Sequence, residues 1–444
     1  MSVSDSPGDW FQRFVRDYGM VFVLLLLCAL FTGLTLNDQN PGGTEAGTEL
    51  ARTILARYGS SARVIIATRD TSEDRGFAAA VEQTLTAEGA TVLANVNGSP
   101  GDVRAAIQNA LADGGNIDAI AANDAAAKWT VYDQFEQVGR EKCVIPDAYR
   151  WPDFLKLTNL LGVAHQTAII AIIAIGMTMV IITAGIDLSV GSLVALSSVA
   201  AAIVVRNLGG GKSAGPEFVV LGYLFALQVC GILGAFVGGI ITVFRVPAFI
   251  VTLSMMMAAN GLAKRISDGK SIPEVPPSFL WLGGGQTCGV PNPILLMLAL
   301  YLIAHVVMSH TVFGRYVYAI GGNEEAARLS GVPVKRVLLT VYTLSALLAG
   351  LGGIVLSSQL GAGDPKFGEM YELEVIAAVV VGGTSLMGGE GKIFGTLIGA
   401  FIIAVIKNGM NLTNVDPFNQ KIVLGAVLLT AVLLDTVKRR GLEL

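Results

Sequence analysis

The chain has 444 residues, 53% of them hydrophobic and only 14% charged, with a formal net charge of -4. That composition is far from the soluble globular average and places much of the protein in lipid, while the slightly acidic balance excludes the broad basic surface that a nucleic-acid partner would need. Four scattered cysteines (Cys28, Cys143, Cys230, Cys288) and three histidines make neither a disulfide framework nor a metal-ligand spacing, so no metal and no cofactor is expected.

The first nineteen residues are polar and carry Arg13 and Arg16, and the apolar run from Met20 to Leu36 is about long enough to cross a bilayer. Residues 1–36 are therefore read as an N-terminal tail and an uncleaved first transmembrane helix. A cleaved signal peptide is the alternative, although no small-residue cleavage site follows the run. Either reading sends the next segment outside.

From 37 to 156 charged residues return, and short apolar runs alternate with helix-like stretches. Strands are expected over 63–68, 91–96, 117–122 and 142–145, with helices near 73–88, 102–113 and 125–138, which implies a small parallel sheet in an extracytoplasmic lobe.

Residues 157–444 are dominated by long apolar segments rich in Gly, Ala, Ile and Val, small residues suited to close helix contact in lipid. Helices are expected near 160–183, 187–205, 217–241, 247–263, 293–309, 336–357, 373–387, 393–410 and 420–435, two or three of them broken or re-entrant. The predicted fold is thus an all-α polytopic membrane protein of about ten transmembrane helices with a small extracytoplasmic α/β insert. Arg315, Arg328, Lys335 and Arg336 in one loop, and Lys438, Arg439 and Arg440 in the tail, assign both to the cytoplasm. Lys264, Arg265 and Lys270 then fall in an outer loop, against the same rule.

Four local patterns carry chemistry. The run Gly185-Ile-Asp-Leu-Ser-Val-Gly-Ser192 sets Asp187 between two apolar stretches, where a charge is expensive without a partner or a task. Asp187, Ser189 and Gly191 are read as a helix start or break lining a translocation path, with a simple cap at an inner turn as the alternative. The loop from Gly314 to Arg336 offers Asn323 as the N-cap of a short helix that Gly331 and Pro333 would stop. Such a helix, polar on one side and carrying Ala326, Ala327 and Leu329 on the other, could dock in a groove of a cytoplasmic partner; a solvated loop is the bland reading. Glycines around Thr384 and Ser385, from Gly382 to Gly391, suggest a bent or re-entrant element. Finally, Arg206 to Ser213 lacks the first glycine of a phosphate loop and Lys392 is followed by Ile393, so this chain should not hydrolyse ATP and is not expected to be an enzyme.

With those residues on the page, the segments Gly176-Met-Thr178, Gly185 to Ser192, Gly314-Arg-Tyr316, Arg328-Leu-Ser-Gly331, Ala377 to Ser385 and Gly395 to Gly399 resemble, in order and spacing, the ribose/xylose/galactose-type permeases of bacterial ABC importers. The resemblance runs from about 153 to 440. It implies a multi-pass protein of the bacterial inner membrane that imports a monosaccharide or similar solute. It also implies a separate ATPase bound at the loop holding Gly322, Asn323, Glu324, Ala326, Ala327, Leu329, Ser330 and Gly331, a second permease subunit forming a homodimer or pair, and a periplasmic substrate-binding protein. The insert departs from that family. It is similar to one lobe of a type I periplasmic sugar-binding protein, through Arg75-Gly-Phe77 and Ile117 to Ala127, which makes Asp124 and, more weakly, Arg75 its ligand contacts. A sugar cleft ordinarily lies between two lobes, so docking or gating is an equal reading of a single one. Cys143 and Cys288 both fall outside and could bond in an oxidising compartment, with two free thiols as the alternative. Two other functions stay open: a membrane-anchored solute receptor and an ion-coupled secondary transporter. Which sugar is carried is not written in any motif.

Overall fold

A computed structural model describes residues 7–112 and 116–440 of the chain, with side chains given from 19 to 433 within those limits. The basic residues Arg13, Arg16, Lys438, Arg439 and Arg440 and the expected helix end at Asp113 lie outside the described side chains or residues. The chain forms two compact units, one of residues 36–152 and the other of everything before and after them.

Helix α1 (Pro7–Leu34) leads to the first strand of the inserted lobe. The lobe runs β1 (Leu36–Gln39), α2 (Gly43–Tyr58), β2 (Arg63–Thr68), α3 (Ser72–Ala87), β3 (Thr91–Asn97), α4 (Pro100–Ala112), β4 (Ala119–Ala122), α5 (Asp124–Ala127), β5 (Cys143–Val144) and β6 (Tyr149–Pro152). Strands β3, β2, β4 and β5 form a parallel sheet in that order. Because successive strand residues face opposite sides, Val64, Ile66, Ala119 and Ala121 pack on α2 and α3. Ile65, Ala67, Ile120 and Ala122 pack instead on α4 and the segment around Val131 and Tyr132. The result is a three-layer α/β unit whose central strand is buried on both faces.

Local capping explains the lobe's helices. Thr71 accepts a hydrogen bond from the Asp74 amide at the start of α3. Ser99 precedes α4, and both its amide and its hydroxyl donate to Asp102, a reciprocal cap that holds the Asp102 carboxyl below its usual range. The structure departs from the expected pattern in three places. Helix α2 is unpredicted, because Gly43 and Gly47 and the β-branched Thr44, Thr48 and Thr53 weaken its helix propensity, and it is held by burial of Leu50 and Ile54. The expected helix over 125–138 is replaced by four-residue α5 and a 3-10 turn at Thr130–Gln134: Trp129 takes an extended backbone, and the adjacent Val131 and Tyr132 both turn onto the sheet. The strand expected at 142–145 shrinks to β5, two residues at the sheet edge.

The lobe is closed at its base by an antiparallel ribbon in which Leu36 faces Pro152 and Gln39 faces Tyr149. In the other unit, Thr35 accepts hydrogen bonds from the Asp153 amide through its carbonyl (2.9 Å) and from the Phe154 amide through its hydroxyl (3.1 Å). The chain thus leaves and re-enters the membrane unit at one point.

That unit continues with α6 (Leu157–Ile182), α7 (Val190–Gly209), α8 (Pro216–Phe244), α9 (Ala248–Ile266), short α10 (Trp281–Gly284), a hairpin of β7 (Gln286–Thr287) and β8 (Val290–Pro291), and α11 (Asn292–His310). It ends with α12 (Val312–Gly322), α13 (Glu324–Leu329), α14 (Val334–Leu360), α15 (Tyr371–Val381), α16 (Ile393–Leu412) and α17 (Pro417–Arg440). Helices α6 and α7 are apolar all round and buried, which marks them as the centre of the bundle; α8 and α11 keep long rows of Leu, Ile and Phe exposed on their outer sides. Among the described residues six helices, α6, α7, α8, α11, α14 and α16, are long and apolar enough to cross a membrane. Against the ten expected, α9 carries Asn260, Lys264 and Arg265, and α15 has 11 residues, about 16 Å of helix against a hydrocarbon core of about 30 Å. Helices α1 and α17 contribute shorter apolar stretches, Gly19–Leu34 and Pro417–Leu433. The element expected over 187–205 begins only at Val190, and the loop expected over 314–336 is largely helical.

All four cysteines are free thiols. Burial pushes the Cys143 thiol up to about 12, so a maleimide at neutral pH should modify exposed Cys288 at least ten times faster than Cys143 until the lobe is denatured. The pairing of Thr35 with Asp153 carries a second expectation. Replacing residues 36–152 by a short glycine turn should leave the membrane unit folded, with expression and melting temperature close to those of the whole chain.

Candidate functional site

The turn joining α6 to α7 is built around Asp187, which is buried. Its Oδ1 accepts from the Ser189 amide (2.9 Å) and hydroxyl (2.6 Å), and its Oδ2 accepts from the Ser345 hydroxyl of α14 (2.9 Å). The Thr252 hydroxyl of α9 donates to the Ile186 carbonyl. Two helices, α9 and α14, therefore hold the turn from outside it. Their approach depends on small residues: a Cβ on Gly176 would come within 2.6 Å of the Ser345 Cα, and one on Gly185 within 2.3 Å of the Tyr342 hydroxyl. Ala184 pays for the tight reversal with a left-handed backbone, φ 59°.

The segment 382–392 between α15 and α16 packs against this turn. The Gly389 amide donates to the Ile182 carbonyl (2.9 Å), and the Tyr318 hydroxyl of α12 donates to the Gly391 carbonyl (2.8 Å). Gly388 lies so near Ala184 that an added Cβ would stand 2.8 Å from it. Thr384 and Ser385 are buried here, and the Thr384 hydroxyl has no hydrogen-bond partner among the described residues. The structure thus brings Asp187 and Ser189 to one hydrogen-bonded turn and Thr384 and Ser385 to the loop beneath it. Gly191, close by at the start of α7, borders an open cavity.

That cavity, of about 290 Å³, lies between the start of α7, the second half of α9 and residues 365–372. Sequence reasoning missed Asn260, Lys264, Glu369 and Glu372 as its polar lining, because they come from two segments about a hundred residues apart with no shared motif. A second, smaller cavity borders an ion pair in which Lys407 of α16 donates to both Glu374 oxygens, at 2.9 and 3.0 Å. Beside it the Asn159 and Asn408 carboxamides bond to each other.

On the loop between α11 and α14, Asn323 caps α13 by accepting from the Ala326 amide (2.9 Å). Gly331 follows with φ 85°. Gly322, Asn323, Glu324, Ala326, Leu329, Ser330 and Gly331 are exposed, Leu329 to 79%. Ala327 departs from the apolar outer face read from the sequence: it is buried, because it sits a third of a turn from Ala326 and anchors α13 to the bundle. Glu325 accepts from Arg328, which holds its carboxyl below the usual range. In the lobe, Asp124 and Arg75 follow β4 and β2, neighbouring strands, at the carboxyl edge of the sheet. Each is engaged in an ion pair, Asp124 with Lys128 and Arg75 with Asp70.

Residues 159–432 match the family profile described as branched-chain amino acid transport system / permease component. The chain belongs to that permease family. Among curated proteins, the permease is 44% identical over 293 residues to the ribose import permease protein RbsC of Escherichia coli K12, covering 65% of this chain and 88% of the relative. It is 44% identical to RbsC of Bacillus subtilis 168, over 65% and 87% of the two chains. To the L-arabinose transport system permease protein AraH of E. coli K12 it is 39% identical, over 65% and 86%. No solved structure matches it. The permease is a multi-pass protein of the bacterial inner membrane. Its lobe and α1 precede the matched residues.

Removing the Asp187 carboxylate strands three buried donors, so Asp187→Ala should cost about 2–4 kcal/mol of stability, read as a lower melting temperature in detergent, with Asp187→Asn intermediate. Breaking the half-buried pair by Lys407→Met or Glu374→Gln alone should cost about 1–2 kcal/mol, and the double change should recover most of it.

Proposed function

We propose that this permease is the membrane-spanning subunit of an ATP-driven importer for a monosaccharide or similar small polar solute. The observation that carries the reading is the 44% identity to a ribose import permease over 88% of that relative's length. The permease works with a separate ATPase, a second permease subunit, most simply another copy of itself, and a periplasmic substrate-binding protein. Its own chain supplies the path and the coupling surface, and ATP is hydrolysed on the partner.

In this reading α1, α9, α15 and α17 complete about ten membrane elements, and the N-terminus and the loop 314–336 face the cytoplasm, as the positive-inside rule favours. The capped helix α13, with Glu324, Ala326 and Leu329 outward, is the part that docks in the ATPase. Asp187, Ser189, Thr384 and Ser385 line the inner end of the path when it opens, and their mutual packing closes it. The lobe stands outside, as the docking or gating element for the substrate-binding protein, and Asp124 and Arg75 are its candidate ligand contacts.

Proteoliposomes holding the permease and its co-purifying ATPase, supplied with a binding protein, test this directly. Internal ATP should drive sugar accumulation, and Glu324→Lys or Leu329→Glu should lower it at least tenfold while leaving the melting temperature unchanged. Accumulation independent of ATP would sink the importer reading.

A further inference from the structure

The cavity of about 290 Å³ in the membrane unit is lined mostly by residues outside the sequence motifs, Gly191 and Ser192 being the exceptions. Its floor is the first turn of α7, Gly191 and Ser192; one wall is Met256, Met257, Asn260 and Lys264 on α9; the other is the irregular chain from Pro365 to Glu372. Backbone geometry builds that second wall. Gly368 (φ 74°) and Met370 (φ 69°) both take left-handed conformations, the second unusual for a residue with a side chain. The reversal presses residue 368 onto α7, where an added Cβ would meet the Gly191 carbonyl oxygen at 2.4 Å. It also sends the Glu372 carboxylate across the cavity floor, so close that a Cβ on Gly191 would stand 2.3 Å from Oε2. Gly191 therefore makes room for the Glu372 carboxylate and for the Gly368 backbone, whose carbonyl oxygen would stand 2.4 Å from an added Cβ.

The charges around the cavity are paired in number and separated in depth. Glu369, Lys264 and Lys366 are exposed at the rim, whereas Asn260, Glu372 and Ser192 sit deeper. Two carboxylates and two ammonium groups cancel, so the cavity as a whole selects neither an anion nor a cation. Deeper in, a carboxylate, a carboxamide and a hydroxyl offer acceptors and donors at close quarters, and Met256, Met257 and Phe367 add apolar surface. A molecule with several hydroxyls on one side and C–H groups on the other meets both kinds of wall. The volume, about 290 Å³, is at the small end of the roughly 300–1,000 Å³ of ligand sites.

We propose that this cavity is the solute-recognition subsite of the permease, that it takes a neutral polyhydroxylated molecule the size of one sugar ring, and that Glu372 and Asn260 bond its hydroxyls. The proposal rests on the importer reading above and adds to it the residues that touch the solute.

The test is uptake by the reconstituted importer, with ribose and L-arabinose as paired probes and leucine as a zwitterionic control. Glu372→Gln and Asn260→Ala should each change the ratio of ribose to arabinose uptake at least fivefold, because contacts to particular hydroxyls discriminate the two; a purely structural role would lower both rates in proportion. In a Cys288→Ser background, Asn260→Cys should react with a small charged thiol reagent, and ribose should slow that reaction at least threefold during turnover. Unchanged ratios in both variants would overturn the proposal while leaving ATP-driven uptake, and with it the importer reading, intact. Uptake of leucine in place of both pentoses would overturn the solute class. Failure of the unaltered importer to carry any sugar would remove the reading on which the site rests.

Discussion

A carboxylate inside an apolar bundle cannot turn to water for its hydrogen bonds, and the membrane unit is organised around meeting that demand at Asp187. Two bonds come from its own turn and one from Ser345 on α14, so the turn cannot form until α14 lies against α6. Close approach is in turn possible only because Gly176 leaves space at Ser345. The same requirement, that polar groups in lipid be satisfied from within the protein, explains why the 382–392 segment is not a free loop. Its amides and carbonyls find Ile182 and Tyr318, and it becomes a wedge between the end of α6 and α12.

From that fixed end the rest of the unit follows. Helix α15 is too short to cross by itself, yet it is held on both sides: Glu374 pairs with Lys407 of α16, and Glu372 reaches over the first turn of α7. Neighbouring acidic positions thus serve opposite faces of one helix, the first joined to a structural ion pair and the second turned into a cavity.

The loop 314–336 and the lobe both take shapes that are set locally. Helix α13 is six residues long and would not persist alone; the Asn323 cap, the Glu325–Arg328 pair and burial of Ala327 hold it, leaving its other faces exposed. The lobe has its own two-sided core, and its ends meet at Thr35 and Asp153. An insertion with adjacent ends makes little demand on the fold that receives it.

Much of this was legible in the residues. Hydropathy marks the long spans, since twenty apolar residues in succession have no other economical place than lipid. The β-α-β rhythm marks the lobe's parallel sheet, and Asn323, Gly331 and Pro333 mark the ends of α13, because caps and stops act within a few residues. Helix α2 escaped notice, since its own propensity is weak and burial of Leu50 and Ile54 supplies the rest. Ala327 was placed on the wrong face for the same kind of reason: whether an alanine faces a partner or the core is decided by where the bundle lies. Asn260, Glu369 and Glu372 carry no local signal at all. They come from segments more than a hundred residues apart and share a cavity only because the left-handed turn at Gly368 and Met370 lays that chain against α7, a juxtaposition that periodicity cannot express and that packing alone creates.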